Sequence, residues 1–153
     1  MILRLSSGSE RIDQVLGGGL VANGINLVIG RPGSGKTILC EQYVFHNATV
    51  ERPALYLSTV SESLDKMLRY GESLEYFDNR AIGTRVIYED LGHCLSDQGL
   101  AGVLERVTTL LRERRPGIVV IDSFKALRDY TRTGSETFGA SSTRSAAVCR
   151  CSP

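Results

Sequence analysis

Eight consecutive residues, Gly30-Arg31-Pro32-Gly33-Ser34-Gly35-Lys36-Thr37, carry the spacing GxxxxGK[ST] between an apolar segment, Ile25 to Ile29, and a helical one, Thr37 to Ala48. Glycines at these positions release the backbone into conformations that side chains forbid, so successive N–H groups can turn inward around phosphate oxygens. Lys36 adds a point charge for the terminal phosphates, and Thr37 offers a hydroxyl to Mg²⁺. The helix that follows directs its partially positive end at the same anion. The competing reading is a Gly-rich turn that ends by chance in Lys-Thr, and the strand before and helix after speak against it.

A phosphate cradle hydrolyses nothing without a metal-holding acid. Ile118-Val119-Val120-Ile121-Asp122 is an uninterrupted β-branched run ending in an acid. A run this apolar reads as a central parallel strand, and ligands in open α/β sheets bind at the carboxyl ends of such strands. Asp122 is thereby placed to hold Mg²⁺ beside Thr37. Its alternative role is to cap the following turn.

The elements that must position these residues alternate along the chain. The pattern predicts a short helix over residues 9–16, a Gly17-Gly18-Gly19 turn, a strand over 25–29, a helix over 37–48 and a strand over 54–58. A helix near 63–77, a strand at 85–88, a helix at 99–115 and the strand ending at Asp122 follow. The clearest periodicity lies in Leu100, Val103, Leu104, Val107, Leu110 and Leu111, with Ser96 or Asp97 as N-cap and Pro116-Gly117 as the stop. This βαβ order implies a parallel sheet with helices on both faces.

At 153 residues the chain is one domain by length. No stretch approaches eighteen apolar residues and no basic-then-apolar leader opens it, so a soluble cytoplasmic protein is expected. A net charge of +1 gives no electrostatic footprint for nucleic acid or a membrane. Cys40, Cys94, Cys149 and Cys151 lack zinc-type spacing, and His46 and His93 are isolated.

The last residues differ in character. From Arg132 to Pro153 eight of twenty-two residues are Ser or Thr, and only Phe138 and Val148 are large and apolar. No strand or amphipathic helix is drawn there, and poor packing is expected after Tyr130. The domain is therefore expected to span residues 1–131, with a low-order tail over 132–153.

Several segments together resemble the RecA superfamily, and within it a KaiC-type ATPase domain. They are Arg11-Ile12-Asp13-Gln14-Val15-Leu16-Gly17-Gly18-Gly19-Leu20, the loop Gly30 to Thr37, Ala54-Leu55-Tyr56-Leu57-Ser58, and Ile118-Val119-Val120-Ile121-Asp122-Ser123. The LGGGL turn ahead of the phosphate loop is the most discriminating part. The resemblance implies an α/β fold of RecA-like P-loop NTPase type, with Gly30 to Thr37 as the Walker A loop and Asp122 as the Walker B acid. It also implies a catalytic carboxylate at Glu62 that orients the attacking water, with Ser61 replacing an adjacent glutamate. Ser123 resembles a position near the γ-phosphate.

The resemblance further implies ATP and Mg²⁺ as cofactors and homo-oligomeric rings with nucleotide between subunits. Such domains continue past the Asp122 strand, so the C-terminal part of the fold is expected to be missing. The short, compositionally foreign end suggests a truncated or frame-shifted product in which the Asp122 strand becomes a sheet edge. Mg²⁺-dependent ATP hydrolysis is the leading expectation. A non-hydrolysing, ATP-binding interaction module or an inactive fragment is the alternative, and Ser/Thr autokinase activity and nucleic-acid binding rank lower.

Overall fold

The computed structural model describes residues 2–59, 64–133 and 145–151. In chain order the elements are β1 (Arg4–Leu5), α1 (Glu10–Val15), β2 (Leu20–Val21), β3 (Ile25–Gly30), α2 (Lys36–Asn47) and β4 (Ala54–Ser58). Then come α3 (Leu64–Gly71), a 3-10 turn (Asn79–Ala81), β5 (Val86–Asp90), α4 (Gly92–Arg114), β6 (Ile118–Asp122), α5 (Phe124–Thr133) and β7 (Ser145–Cys151). β1 and β2 form a small antiparallel pair, and the other five strands form one sheet in the order β3-β7-β6-β4-β5.

The centre of that sheet is parallel, as the βαβ order predicts. β4 pairs with β5 on one side and β6 on the other, with Tyr56 opposite both Tyr88 and Val120, and Ser58 opposite Asp90 and Asp122. β4 is buried on both faces because helices cover both. Ala54 and Tyr56 pack with Cys40, Val44, Phe45 and Val120 under α2, while Leu55 and Leu57 pack with Leu95, Val103 and Leu110 under α4. Complete burial of a leucine contributes roughly 1.5–3 kcal/mol, so this strand alone anchors both layers.

Two expectations about the chain end are corrected. Residues 145–151 form a strand, although their sequence, two alanines and two cysteines among seven residues, shows no strand pattern. β7 enters between β3 and β6 and runs antiparallel to both, so the sheet is mixed and the Asp122 strand is not an edge. The physical reason is that backbone N–H and C=O groups on two facing strands demand partners, and an inserted backbone supplies them whatever its side chains. In addition, α5 continues through Thr133, past the point where order was expected to fail.

Helix bounds also shift. α3 ends at Gly71 rather than near Phe77, because the chain turns there and lays Tyr76 and Phe77 onto Phe45, with ring centroids 5.9 Å and 4.9 Å away. α4 begins at Gly92, where the Asp90 carboxylate accepts from the Gly92 N–H at 2.7 Å, so neither Ser96 nor Asp97 is its N-cap. The expected start at Gly99 survives as an internal break with φ 67° and ψ −165°, a conformation essentially restricted to glycine. Among the described residues no helix is long and apolar enough to cross a membrane.

Candidate functional site

β3 and β6 are separated by β7, so their axes lie two strand spacings apart, about 9–10 Å. The loop after β3 and the helix α2 must span that gap to bring Thr37 to the end of β6. Gly35 permits it. With φ 84° it occupies the left-handed region at the helix N-cap, where an L side chain would be strained. No side chain caps this helix, so the N–H groups of its first turn are open to an anion.

Lys36 opens α2 and is nearly buried. Its ammonium folds back over the loop, donating to the Arg31 carbonyl at 2.7 Å, with Ser34 Oγ at 3.5 Å. The Arg31, Pro32, Gly33, Ser34 and Gly35 positions around it are exposed. A cavity of about 370 Å³ adjoins the loop, lined by Ser34, Gly35 and Lys36 with Val28, Ile38 and Gln42. A second cavity, about 560 Å³ and far more apolar, lies on the opposite face between the sheet and α4 and α5. It is lined by Leu27, Val103, Ile121 and Leu127 among others, and it presents no oxygen pair like the one at the loop.

That pair is Thr37 and Asp122. The Thr37 hydroxyl donates to Asp122 Oδ2 at 2.6 Å, and the buried Tyr56 hydroxyl donates to the same oxygen at 2.7 Å. A threonine that gives its proton to a carboxylate keeps oxygen lone pairs for a cation, and the donor set is hard oxygen throughout, which suits Mg²⁺. Among the described residues no three His, Cys, Asp or Glu side chains cluster. Mg²⁺ is commonly held by one or two carboxylates together with substrate phosphates rather than by an all-protein cage, so this set fits it.

Ser123 follows across a cis peptide and is buried. Its N–H donates to Thr59 Oγ1 at 3.0 Å, and that hydroxyl donates back to the Ser123 carbonyl at 2.6 Å. The Thr59 N–H also donates to the Asp122 carbonyl, so the end of β4 holds the backbone just past the acid. Glu62 and Ser61 lie outside the described residues.

Sequence reasoning missed a buried acid, Glu41. It sits one turn after Thr37 on the same face of α2, 4% exposed, and accepts hydrogen bonds from Tyr76 and Tyr88, each at 3.2 Å. Burial raises its carboxyl above the ordinary range, the tyrosine hydrogen bonds partly counter that, and the nearby Asp122 charge adds to the rise. Tyr56 and Thr59 were missed as well. A tyrosine inside an apolar strand carries no motif, and only the sheet register reveals its partner.

The family model described as "ATPase: KaiC" matches residues 5–138, past the expected domain boundary at Thr131. The circadian clock oscillator protein KaiC of Synechococcus elongatus is 29% identical over 125 residues, covering 82% of this chain and 24% of the relative. A UPF0273 protein of Pyrococcus horikoshii is 24% identical over 142 residues, covering 83% of this chain and 57% of its own. The DNA repair protein RadA of Mycobacterium tuberculosis is 29% identical over 121 residues, 79% of this chain and 22% of that one. The chain thus spans about a quarter of the length of the KaiC proteins it matches. With a phosphate-loop geometry, a parallel core flanked by helices and a family match over most of its residues, the chain belongs to the KaiC-type ATPase domains of the RecA superfamily.

Proposed function

We propose that this domain binds ATP with Mg²⁺ at the Gly30 to Thr37 loop and hydrolyses its γ-phosphate. The observation that carries the reading is the 2.6 Å contact between the Thr37 hydroxyl and Asp122, which joins a cation-binding oxygen pair to an uncapped helix N-terminus. The loop N–H groups and the first turn of α2 hold the β- and γ-phosphate oxygens. Lys36 exchanges the Arg31 carbonyl for the γ-phosphate, which costs little because that carbonyl lies in an exposed loop.

Thr37 and Asp122 hold Mg²⁺, which when bound would withdraw charge from the phosphate oxygens. Glu62 orients a water in line with the γ-phosphorus and accepts its proton as the new P–O bond forms and the bond to the β-γ bridging oxygen breaks. ADP leaves with that oxygen's electron pair. Ser123, fixed beside the metal acid, contacts the γ-phosphate. Assembly into a ring of subunits completes the site, so turnover rises with protein concentration, and the domain works in the cytoplasm.

The test is a titration with a fluorescent ATP analogue and Mg²⁺, with phosphate release recorded on the same samples and Lys36→Ala run alongside. Saturable binding that weakens at least about tenfold in Lys36→Ala, with steady phosphate release, supports the reading. Lys36-dependent binding without release at any protein concentration reduces it to an ATP-binding interaction module. No binding by folded wild-type protein overturns it.

A further inference from the structure

We propose that Tyr56 is a positioning residue for the metal ion: its buried phenol fixes the orientation of the Asp122 carboxylate and thereby sets the affinity of the site for Mg²⁺. The inference rests on the functional reading above and adds a residue to which the sequence pattern assigns no chemical role.

The terminal torsion of an aspartate is broad, so a carboxylate held by one hydrogen bond can rotate its oxygens through a wide arc. Here two donors converge on Oδ2, Thr37 at 2.6 Å and Tyr56 at 2.7 Å. Thr37 lies on α2 and is exposed, while Tyr56 lies on the central strand β4 and is fully buried. Tyr56 is therefore the rigid member of the pair. It holds the oxygen while the threonine hydroxyl turns its lone pairs to a cation.

The phenol is itself immobilised. Its ring packs on Tyr88, its direct neighbour in register on β5, with centroids 5.0 Å apart. The Tyr88 hydroxyl is tied to Glu41 Oε1. Since Glu41 and Thr37 stand one turn apart on α2, the contacts form a closed circuit from α2 through Asp122, Tyr56, Tyr88 and Glu41 back to α2. Swinging Tyr56 away would break this packing.

A purely structural account holds that Asp122 merely satisfies a buried hydroxyl. The two accounts differ in what Tyr56→Phe does, since that change keeps the ring and removes only the donor. The Mg²⁺ concentration that half-saturates binding of a fluorescent ATP analogue is measured for wild type, Tyr56→Phe and Tyr76→Phe, with binding in EDTA as the metal-free reference. Removing an outer partner of a metal ligand typically lowers metal affinity by about 10–100-fold. The expected result is a rise of at least about tenfold in the Mg²⁺ requirement of Tyr56→Phe, with unchanged binding in EDTA and no rise in Tyr76→Phe.

A rise below about threefold, or an equal rise in both variants, overturns the positioning role even where wild type binds Mg²⁺-nucleotide well. Wild-type protein that shows no Mg²⁺-dependent binding overturns the functional reading instead. If Tyr56→Phe does not accumulate as folded protein, Tyr56→Met fills the same niche without a hydroxyl and is held to the same threshold.

Discussion

Thr37 Oγ1 and Asp122 Oδ2 lie 2.6 Å apart although 85 positions separate them in the chain. One belongs to the first turn of α2 and the other to the last residue of β6, so their meeting measures how well helix and sheet are docked. Docking depends on a core made of Cys40, Val44 and Phe45 from the helix and Tyr56 and Val120 from the sheet.

Replacing Asp122 by Asn removes the charge at nearly constant size. The amide oxygen can still accept from Thr37 and Tyr56, so folding survives and cation binding suffers. Phosphate release should fall at least about 100-fold, equivalent to about 2.7 kcal/mol of barrier, and the Mg²⁺ dependence of nucleotide binding should flatten. Binding measured in EDTA should match wild type. A variant that retains the wild-type Mg²⁺ response would remove Asp122 from the metal site.

Glu62→Gln separates binding from turnover. A neutral amide can still hydrogen-bond a water but cannot accept its proton, so hydrolysis should drop by about 10²–10⁴-fold while nucleotide affinity stays within about twofold. Single-turnover phosphate release and equilibrium binding on the same preparation check it. Equal rates in both proteins would point to another base.

Glu41 gives a pH signature. Its carboxyl is raised from an ordinary 4.5 chiefly by burial, so the folded protein holds that proton more tightly than the unfolded chain does. The unfolded chain then binds fewer protons, and stability falls as pH rises above about 4.5 until the folded group has itself ionised. Glu41→Gln removes this slope. Urea midpoints measured from pH 4 to 8 should show the variant gaining on wild type as pH rises, and a constant difference across that range would contradict the prediction.

β7 is tested through its backbone. Val148 stands opposite Leu27 on one side and Ile121 on the other, so proline there removes a ladder donor from the interior of the sheet. Val148→Pro should lower unfolding free energy by on the order of 2–3 kcal/mol and disturb the phosphate-loop strand, seen as weaker nucleotide binding. A change within about 0.5 kcal/mol, as for an ordinary surface substitution, would mean that β7 does not hold β3 to β6.

The loop between β3 and α2 and the strand that ends at Asp122 were legible because their signals are local. Gly30 to Thr37 is a contiguous backbone motif, and the run Ile118 to Asp122 declares a buried strand by composition alone. The helix–strand order and the parallel centre of the sheet follow from the same short-range patterns. Tyr56, Thr59 and Glu41 carried no such signal, since each acquires its partner only through sheet register and the crossing of α2 over the strands. β7 was hidden for a different reason. Its side chains show no strand pattern, and what recruits it is the unpaired backbone of β3 and β6. The residues alone pointed to the chemistry we propose, a phosphate cradle and a metal acid. The tertiary structure decided the geometry in which that chemistry is held, because hydrogen-bond partners far apart in the chain are selected by packing.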